Sequence, residues 1–219
     1  MSQSVQHYPD LTARRADLVV HIVGLAFALL GGAILVGLAF GLGPWLRGAS
    51  VLVYVAGMVA MLAASAAYNF AKERWRPLMR RFDQAGIFIM IAGSYTPFTT
   101  QRLHGAWAWG LTAVVWGLAL AGVAATLLLP RLERRFWIGL YLALGWVVLV
   151  AIKPIINNLS WVALGLLALG GLVYSIGAIL YGLKKFKFRR AIWHGHVVSA
   201  SILHWVAVLV GVVLARGAG

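Results

Sequence analysis

The sequence predicts an all-α integral membrane protein, a bundle of seven transmembrane helices with a cytoplasmic N-terminus. Three observations carry that expectation. Of the 219 residues, 62% are apolar and only 11% are charged, whereas a soluble domain averages about 25% charged residues and needs them to cover its surface. The apolar runs are continuous over roughly twenty positions, the length of a helix crossing a bilayer, instead of alternating over about ten as barrel strands do. The basic residues fall in clusters at alternate ends of those runs, the pattern of a chain threaded back and forth with its cations on one side.

Seven segments follow in order, at about 18–40, 49–70, 84–100, 106–129, 136–152, 160–183 and 191–214. The first follows a polar lead of residues 1–17, is longer than a signal-peptide core and has no small-residue cleavage site after it, so it reads as a retained span. The second ends before Lys72, and the third begins after Asp83. The third, fifth and sixth are interrupted by Gly, Pro or polar residues, which blurs their ends. The domain organisation is therefore a cytoplasmic N-terminal segment 1–17, one membrane domain 18–214 and a short tail 215–219. No repeat of 20–50 residues and no Ser/Pro-rich linker interrupts it.

The net charge of +14 reads as topology. Of the 19 Lys and Arg, only Arg47, Arg102, Lys153 and Arg216 sit at the ends assigned to the far side. The rest flank the other ends, with cytoplasmic loops at about 71–82, 130–135 and 184–190. These cations lie in short loops with no folded module to present them, which argues against nucleic-acid binding and for anionic headgroups, with the cell membrane as the expected location.

Ionisable groups inside a span are costly and are functional candidates by default. Asp17 and His21 open the first segment, where a cap or interfacial solvation competes with a site role; Ser65, Tyr68 and Asn69 close the second; Asp83 opens the third; Arg190, His194 and His196 open the seventh. All fall at the cytoplasmic depth. Ser65 and Asn69 share a helix face, as do Arg190 and His194. His194 and His196 are about 200° apart around a helix, too divergent to grip one ion. His204 lies deeper and reads as a buried hydrogen-bonding residue. Gly37 and Gly41 form a small-xxx-small pair suited to packing inside the bundle. With no cysteine, a metal site must use His, Asp or oxygen donors. No lysine in the seventh segment could form a retinal Schiff base, and no inverted repeat marks a transporter.

The run Asp83-Gln-Ala-Gly-Ile-Phe-Ile-Met-Ile-Ala-Gly-Ser-Tyr-Thr-Pro-Phe98 closely resembles the third-span signature of the hemolysin III family, within the progestin and adipoQ receptor group. So do Ser65-Ala-Ala-Tyr68-Asn69, Tyr141-Leu-Ala-Leu-Gly-Trp146, Gly171-Leu-Val-Tyr174-Ser-Ile-Gly177-Ala, and Ala191-Ile-Trp-His194 with Leu203-His204-Trp205. The resemblance implies a seven-helix relative of zinc-dependent lipid amidases. In that group one histidine of the second span and a His-x-x-x-His pair of the seventh hold Zn²⁺, a Ser and an Asp complete the site, and an acyl or ceramide-like lipid fills an apolar cavity. Seven retained spans suit a resident membrane protein better than the cytolysis of the family's name.

Ser65, Asp83 and His194 match that site, but Asn69 and Arg190 stand at the other two ligand positions. Asn is a weak oxygen donor for zinc, and Arg has no lone pair to give. Zn²⁺ facing a guanidinium at 4 Å and an effective dielectric of 20 would be opposed by about 8 kcal/mol. The expectation is a lipid-sensing or lipid-homeostasis protein with a degenerate zinc site, holding little or no zinc, in which Asp83 pairs with Arg190. The alternative is a zinc-dependent hydrolase of a lipid amide.

Overall fold

The structure, a computed structural model, describes residues 7–129, 133–183 and 185–215, without the side chains of Arg134 and Arg135. The described residues contain helices and no strand: α1 Leu11–Gly41, α2 Trp45–Phe70, α3 Arg76–Arg102, α4 Gly105–Leu128, α5 Arg134–Gly145, α6 Ile152–Asn158, α7 Trp161–Gly182 and α8 Arg189–Val208. A 3₁₀ stretch, Val147–Ala151, joins α5 to α6, and a π-type turn, Leu209–Val213, follows α8.

The helices overrun the apolar segments because local capping, not hydropathy, sets their ends. Asp10 caps α1, its side chain accepting from the Ala13 amide at 2.8 Å. The helix thus starts at Leu11, and Asp17 and His21 lie within it instead of at its mouth. Pro77 sits in the first turn of α3, where a missing N–H costs nothing. That helix therefore absorbs Arg76, Arg80, Arg81 and Asp83, which the sequence reading left outside or at the edge of the span.

The fifth segment continues to Asn158 through a break at Gly145. Inside a bilayer, backbone groups freed by a break need partners from the protein. Tyr95 of α3 supplies them: its hydroxyl donates to the Gly145 carbonyl at 2.7 Å and accepts from the Val148 amide at 2.9 Å.

Six stretches are long and apolar enough to cross a membrane, namely α1, α2, α4, Phe136–Asn158, α7 and Arg189–Val213. With α1 presenting Leu18, Val19, Ile22, Leu29, Leu30 and Ile34 outward, the chain is an integral, multi-pass, all-α membrane protein. The helix α3 has the length, at 27 residues, but is too polar to be counted on composition. Its place explains that polarity. It packs between α2 and α4, so it faces protein more than lipid.

The helices close a ring in which α1 touches α2 and α8, and α7 packs on α8, while the α5–α6 span stands off from its neighbours with few contacts. The seam between α2 and α3 is the tightest. A Cβ on Gly86 would lie 3.1 Å from the Met61 Cα, and one on Gly57 or Gly93 would lie 3.2 or 3.3 Å from a facing carbonyl. These glycines let the two backbones meet, as small residues do between membrane helices. That contact sets Ser65 and Asn69 across from Asp83. Gly37 and Gly41, expected to pack within the bundle, have nothing within 4 Å, because α1 turns that face outward.

Side-chain bonds show which loops share an end. Lys187 bridges to Asp10 at 2.8 Å, and Arg81 donates to the Leu127 carbonyl at 3.1 Å. At the opposite end Arg47 donates to the Val213 carbonyl at 3.2 Å, and Arg102 to the Asn158 carbonyl at 3.0 and 3.1 Å. Residues 130–132, Lys184 and Arg216, part of the expected charge pattern, lie outside the described residues.

Candidate functional site

At the basic end, α1, α2, α3 and α8 bring a polar cluster to the head of an apolar cavity. Asp17, fully buried, is the cluster's hub. Its Oδ1 accepts from His194 Nδ1 at 2.6 Å, and its Oδ2 accepts from the Tyr8 hydroxyl. The backbone carbonyl of the same residue accepts from His21 Nδ1 at 2.8 Å. Both imidazoles therefore carry their proton on Nδ1 and turn Nε2 toward Ser65, each at 3.3 Å from its Oγ. A hydrogen bond that fixes one ring nitrogen in this way defines the role of the other.

Next to Ser65, Asn69 donates from Nδ2 to the Ser65 carbonyl at 3.0 Å and to its hydroxyl at 3.4 Å. Its Oδ1 accepts from Arg190 Nη1 and from His7 Nε2, both at 3.1 Å. Arg190 also donates to the His7 carbonyl and to His7 Nδ1, each at 3.2 Å. The guanidinium lies over the rings of Tyr8 and Tyr68, at 5.5 and 6.0 Å from their centroids. Burial, reinforced by the Arg190 charge, pulls His7 down to about 4, which keeps its Nδ1 free to accept.

Behind this cluster runs a cavity of about 380 Å³ between α2, α3, α5, α7 and α8. Its head is formed by Ser65, Asn69, Asp83, Arg190 and His194, and its body by side chains such as Met61, Ile87 and Leu164. On α3 the lining reaches from Asp83 to Thr99, about 24 Å at the helical rise. The volume lies in the range of small-ligand sites, about 300–1,000 Å³.

The sequence-predicted residues Ser65, Asn69, Asp83, Arg190 and His194 converge on the cavity head, and Tyr68 lines it beside Arg190. Asp17 and His21 join them through the hydrogen bonds above, as part of the site and not as a helix cap. His196 does not join. Its Nδ1 donates to the Ile192 carbonyl at 2.8 Å and its side chain packs against Gly177 of α7, because two residues of helix rotate it away from His194. The expected ion pair between Asp83 and Arg190 does not form: among the described residues Arg190 bonds Asn69 and His7, while the carboxylate paired in the cluster is Asp17. Asp83 interacts with the Ser65 hydroxyl and lies in the field of His194, with Arg190 and Arg80 acting on it more weakly. His204 is set against Gly170 and Tyr174, but among the described residues neither ring nitrogen has the hydrogen-bond partner expected of it. His7 and Tyr8 were missed, since a polar N-terminal lead gives no signal that it folds back over the site.

A family model described as Haemolysin-III related matches residues 12–205. The chain belongs to the hemolysin III family. It is 29% identical to the hemolysin-3 homolog of Bacillus subtilis, over 89% of this chain and 92% of that protein. Its identity to hemolysin-3 of Bacillus cereus is 38%, over 58% of each. To the human monocyte to macrophage differentiation factor it is 26% identical, over 71% of this chain and 67% of that one.

The three positions at which hemolysin III resemblance implies zinc do not fit the ion in this chain. At position 69 the amide oxygen is already taken by two donors, and at position 190 a guanidinium points its N–H groups at that oxygen. Only His194 keeps an available nitrogen there. A different group, Asp17, His21 and His194, has ligand atoms within 4.8 Å of one another and can hold a metal ion by distance. In it, however, both Asp17 carboxylate oxygens are engaged, by His194 and by Tyr8.

Proposed function

We propose that this hemolysin III family protein receives the acyl chain of a membrane lipid in its cavity, with the lipid's polar head against the Ser65, Asn69 and Arg190 cluster, and that it acts in membrane lipid sensing or homeostasis. One observation carries the reading: a largely apolar cavity, about 380 Å³, whose charged side chains, Arg80, Asp83 and Arg190, all lie at its head. That is the shape and polarity of a lipid with one head. The zinc site of the resemblance is degenerate, with zinc absent or weakly held.

In this reading α3 is the seventh span, tolerated despite its polarity because it is enclosed by α2 and α4. The basic end faces the cytoplasm of the cell membrane, N-terminus included. Since the chain has no cysteine, single cysteines introduced at positions 74 and 187 report the orientation directly. Both should react with impermeant reagents only from the cytoplasmic face; reaction from outside alone would reverse the topology.

Lipid extraction and mass spectrometry of the detergent-purified protein test the occupant. Retained lipid carrying a long acyl chain is expected, and Ala168→Trp, which fills the cavity wall, should lower its amount several-fold. Equal lipid in both proteins would reject the cavity as the binding site. The second reading, a zinc-dependent lipid amide hydrolase, is favoured by the Asp17, His21 and His194 group. Stoichiometric zinc together with chelator-sensitive ceramide hydrolysis would establish it.

A further inference from the structure

The geometry points to a metal-independent acyl-transfer centre at the cavity head, in which Ser65 is the nucleophile, His194 its general base, and Asp17 the residue that positions His194. The proposal takes its substrate class, the carboxylic ester of a long-chain lipid, from the lipid reading above; the chemistry itself rests on the side chains.

Nucleophilic serine chemistry needs a base within hydrogen-bond reach of the hydroxyl and a third group that orients the base. Here Ser65 Oγ lies 3.3 Å from His194 Nε2, and His194 Nδ1 lies 2.6 Å from Asp17 Oδ1. Asp17 is fully buried and held from its other side by Tyr8. His21 Nε2 is equally near Ser65, but its Nδ1 meets only the Asp17 backbone carbonyl at 2.8 Å, with the carboxylate 3.8 Å away. An imidazolium is therefore better opposed by Asp17 at His194 than at His21. Arg190 and His7 both donate to Asn69 Oδ1, which turns Asn69 Nδ2 toward Ser65. The two residues that break the zinc pattern thereby hold an N–H donor 3.4 Å from the hydroxyl, which also meets the Asp83 carboxylate.

The step balances with water as co-reactant. Ser65 Oγ bonds to the ester carbonyl carbon and its proton passes to His194 Nε2. The carbon–oxygen bond to the alcohol breaks, and the alcohol leaves with that proton. Water then attacks the acyl-serine, giving a proton to His194 Nε2; the bond to Oγ breaks, the proton returns to Ser65, and the fatty acid departs.

The test treats the purified full-length protein with hexadecyl and ethyl fluorophosphonates, with and without EDTA, and maps adducts by mass spectrometry. A phosphonyl adduct on Ser65, formed equally with EDTA present, is expected. Asp17→Asn should slow labelling by about 10²-fold or more and Asp17→Glu should recover part of the rate, a split that a packing defect alone would not produce if helicity by circular dichroism is kept. No adduct on Ser65 in folded protein, an adduct only elsewhere, or labelling abolished by EDTA each overturns the proposal. Adducts from both reagents at equal rates would uphold the nucleophile and reject the acyl cavity as its substrate site.

Discussion

Replacing Asp17 with Ala is expected to destabilise the protein by about 3–5 kcal/mol, the loss of two hydrogen bonds to a buried carboxylate at about 1.5–2.5 kcal/mol each. The side chain is fully buried and satisfies two donors on different segments, His194 Nδ1 of α8 at 2.6 Å and the Tyr8 hydroxyl. Truncation leaves both donors buried without an acceptor, and it cuts one link between α1 and α8. For a chain of this size the loss corresponds to a fall of about 6–20 °C in Tm, readable by circular dichroism in detergent. Asp17→Asn keeps the volume and one carbonyl acceptor, so its loss should be smaller. Lys187→Ala is the control, because the Asp10–Lys187 pair is 39% and 54% exposed and solvent screens such a pair. A shift for Asp17→Ala as small as the control would mean that Asp17 is solvated in the bilayer and is no hub.

Much of this organisation was legible in the sequence, for reasons the residues themselves supply. Apolar runs gave the helices of the bundle, and the clustered cations gave a common end, which placed Ser65, Asn69, Asp83, Arg190 and His194 at one depth before any contact was known. Helical spacing gives shared faces, which pairs Ser65 with Asn69 and Arg190 with His194 and separates His196 from His194. What spacing does not give is the rotation of each helix against the others, nor a chain segment with no periodicity. Charge balance alone therefore pairs Arg190 with Asp83. In the fold, the Asn69 amide and His7 take the guanidinium. Asp17 was undervalued because hydropathy started α1 at Leu18, whereas the Asp10 cap starts it at Leu11 and carries Asp17 into the protein interior. The break in the fifth span is legible in the sequence only as an interruption of its apolar run, as in the third and sixth. Its tolerance depends on Tyr95, which lies 50 residues away along the chain.

Restoring two imidazoles should convert the cluster into a zinc site, and this is the largest gain expected of any change here. In the parent protein Asn69 Oδ1 sits 3.1 Å from Arg190 Nη1, so the two side chains already meet across α2 and α8. Ser65 Oγ, one turn from Asn69, is 3.3 Å from His194 Nε2, one turn from Arg190. Asn69→His with Arg190→His thus places two new imidazoles beside the one that remains and removes the cation that opposes the metal. His194 keeps Asp17 on its Nδ1, and a carboxylate so placed orients a ligating histidine and raises its basicity. Three histidines with an open fourth position are a favourable tetrahedral set for Zn²⁺. Elemental analysis after dialysis against micromolar zinc should therefore find about one ion per chain in the double variant and far less in the parent. Each single variant should remain close to the parent, since Arg190 alone repels the ion and Asn69 alone fails to complete the set. Parent protein already holding one zinc per chain would show that His21 and Asp17 supply the missing ligands. A double variant that folds but gains none would show that the faces of α2 and α8 do not converge as drawn.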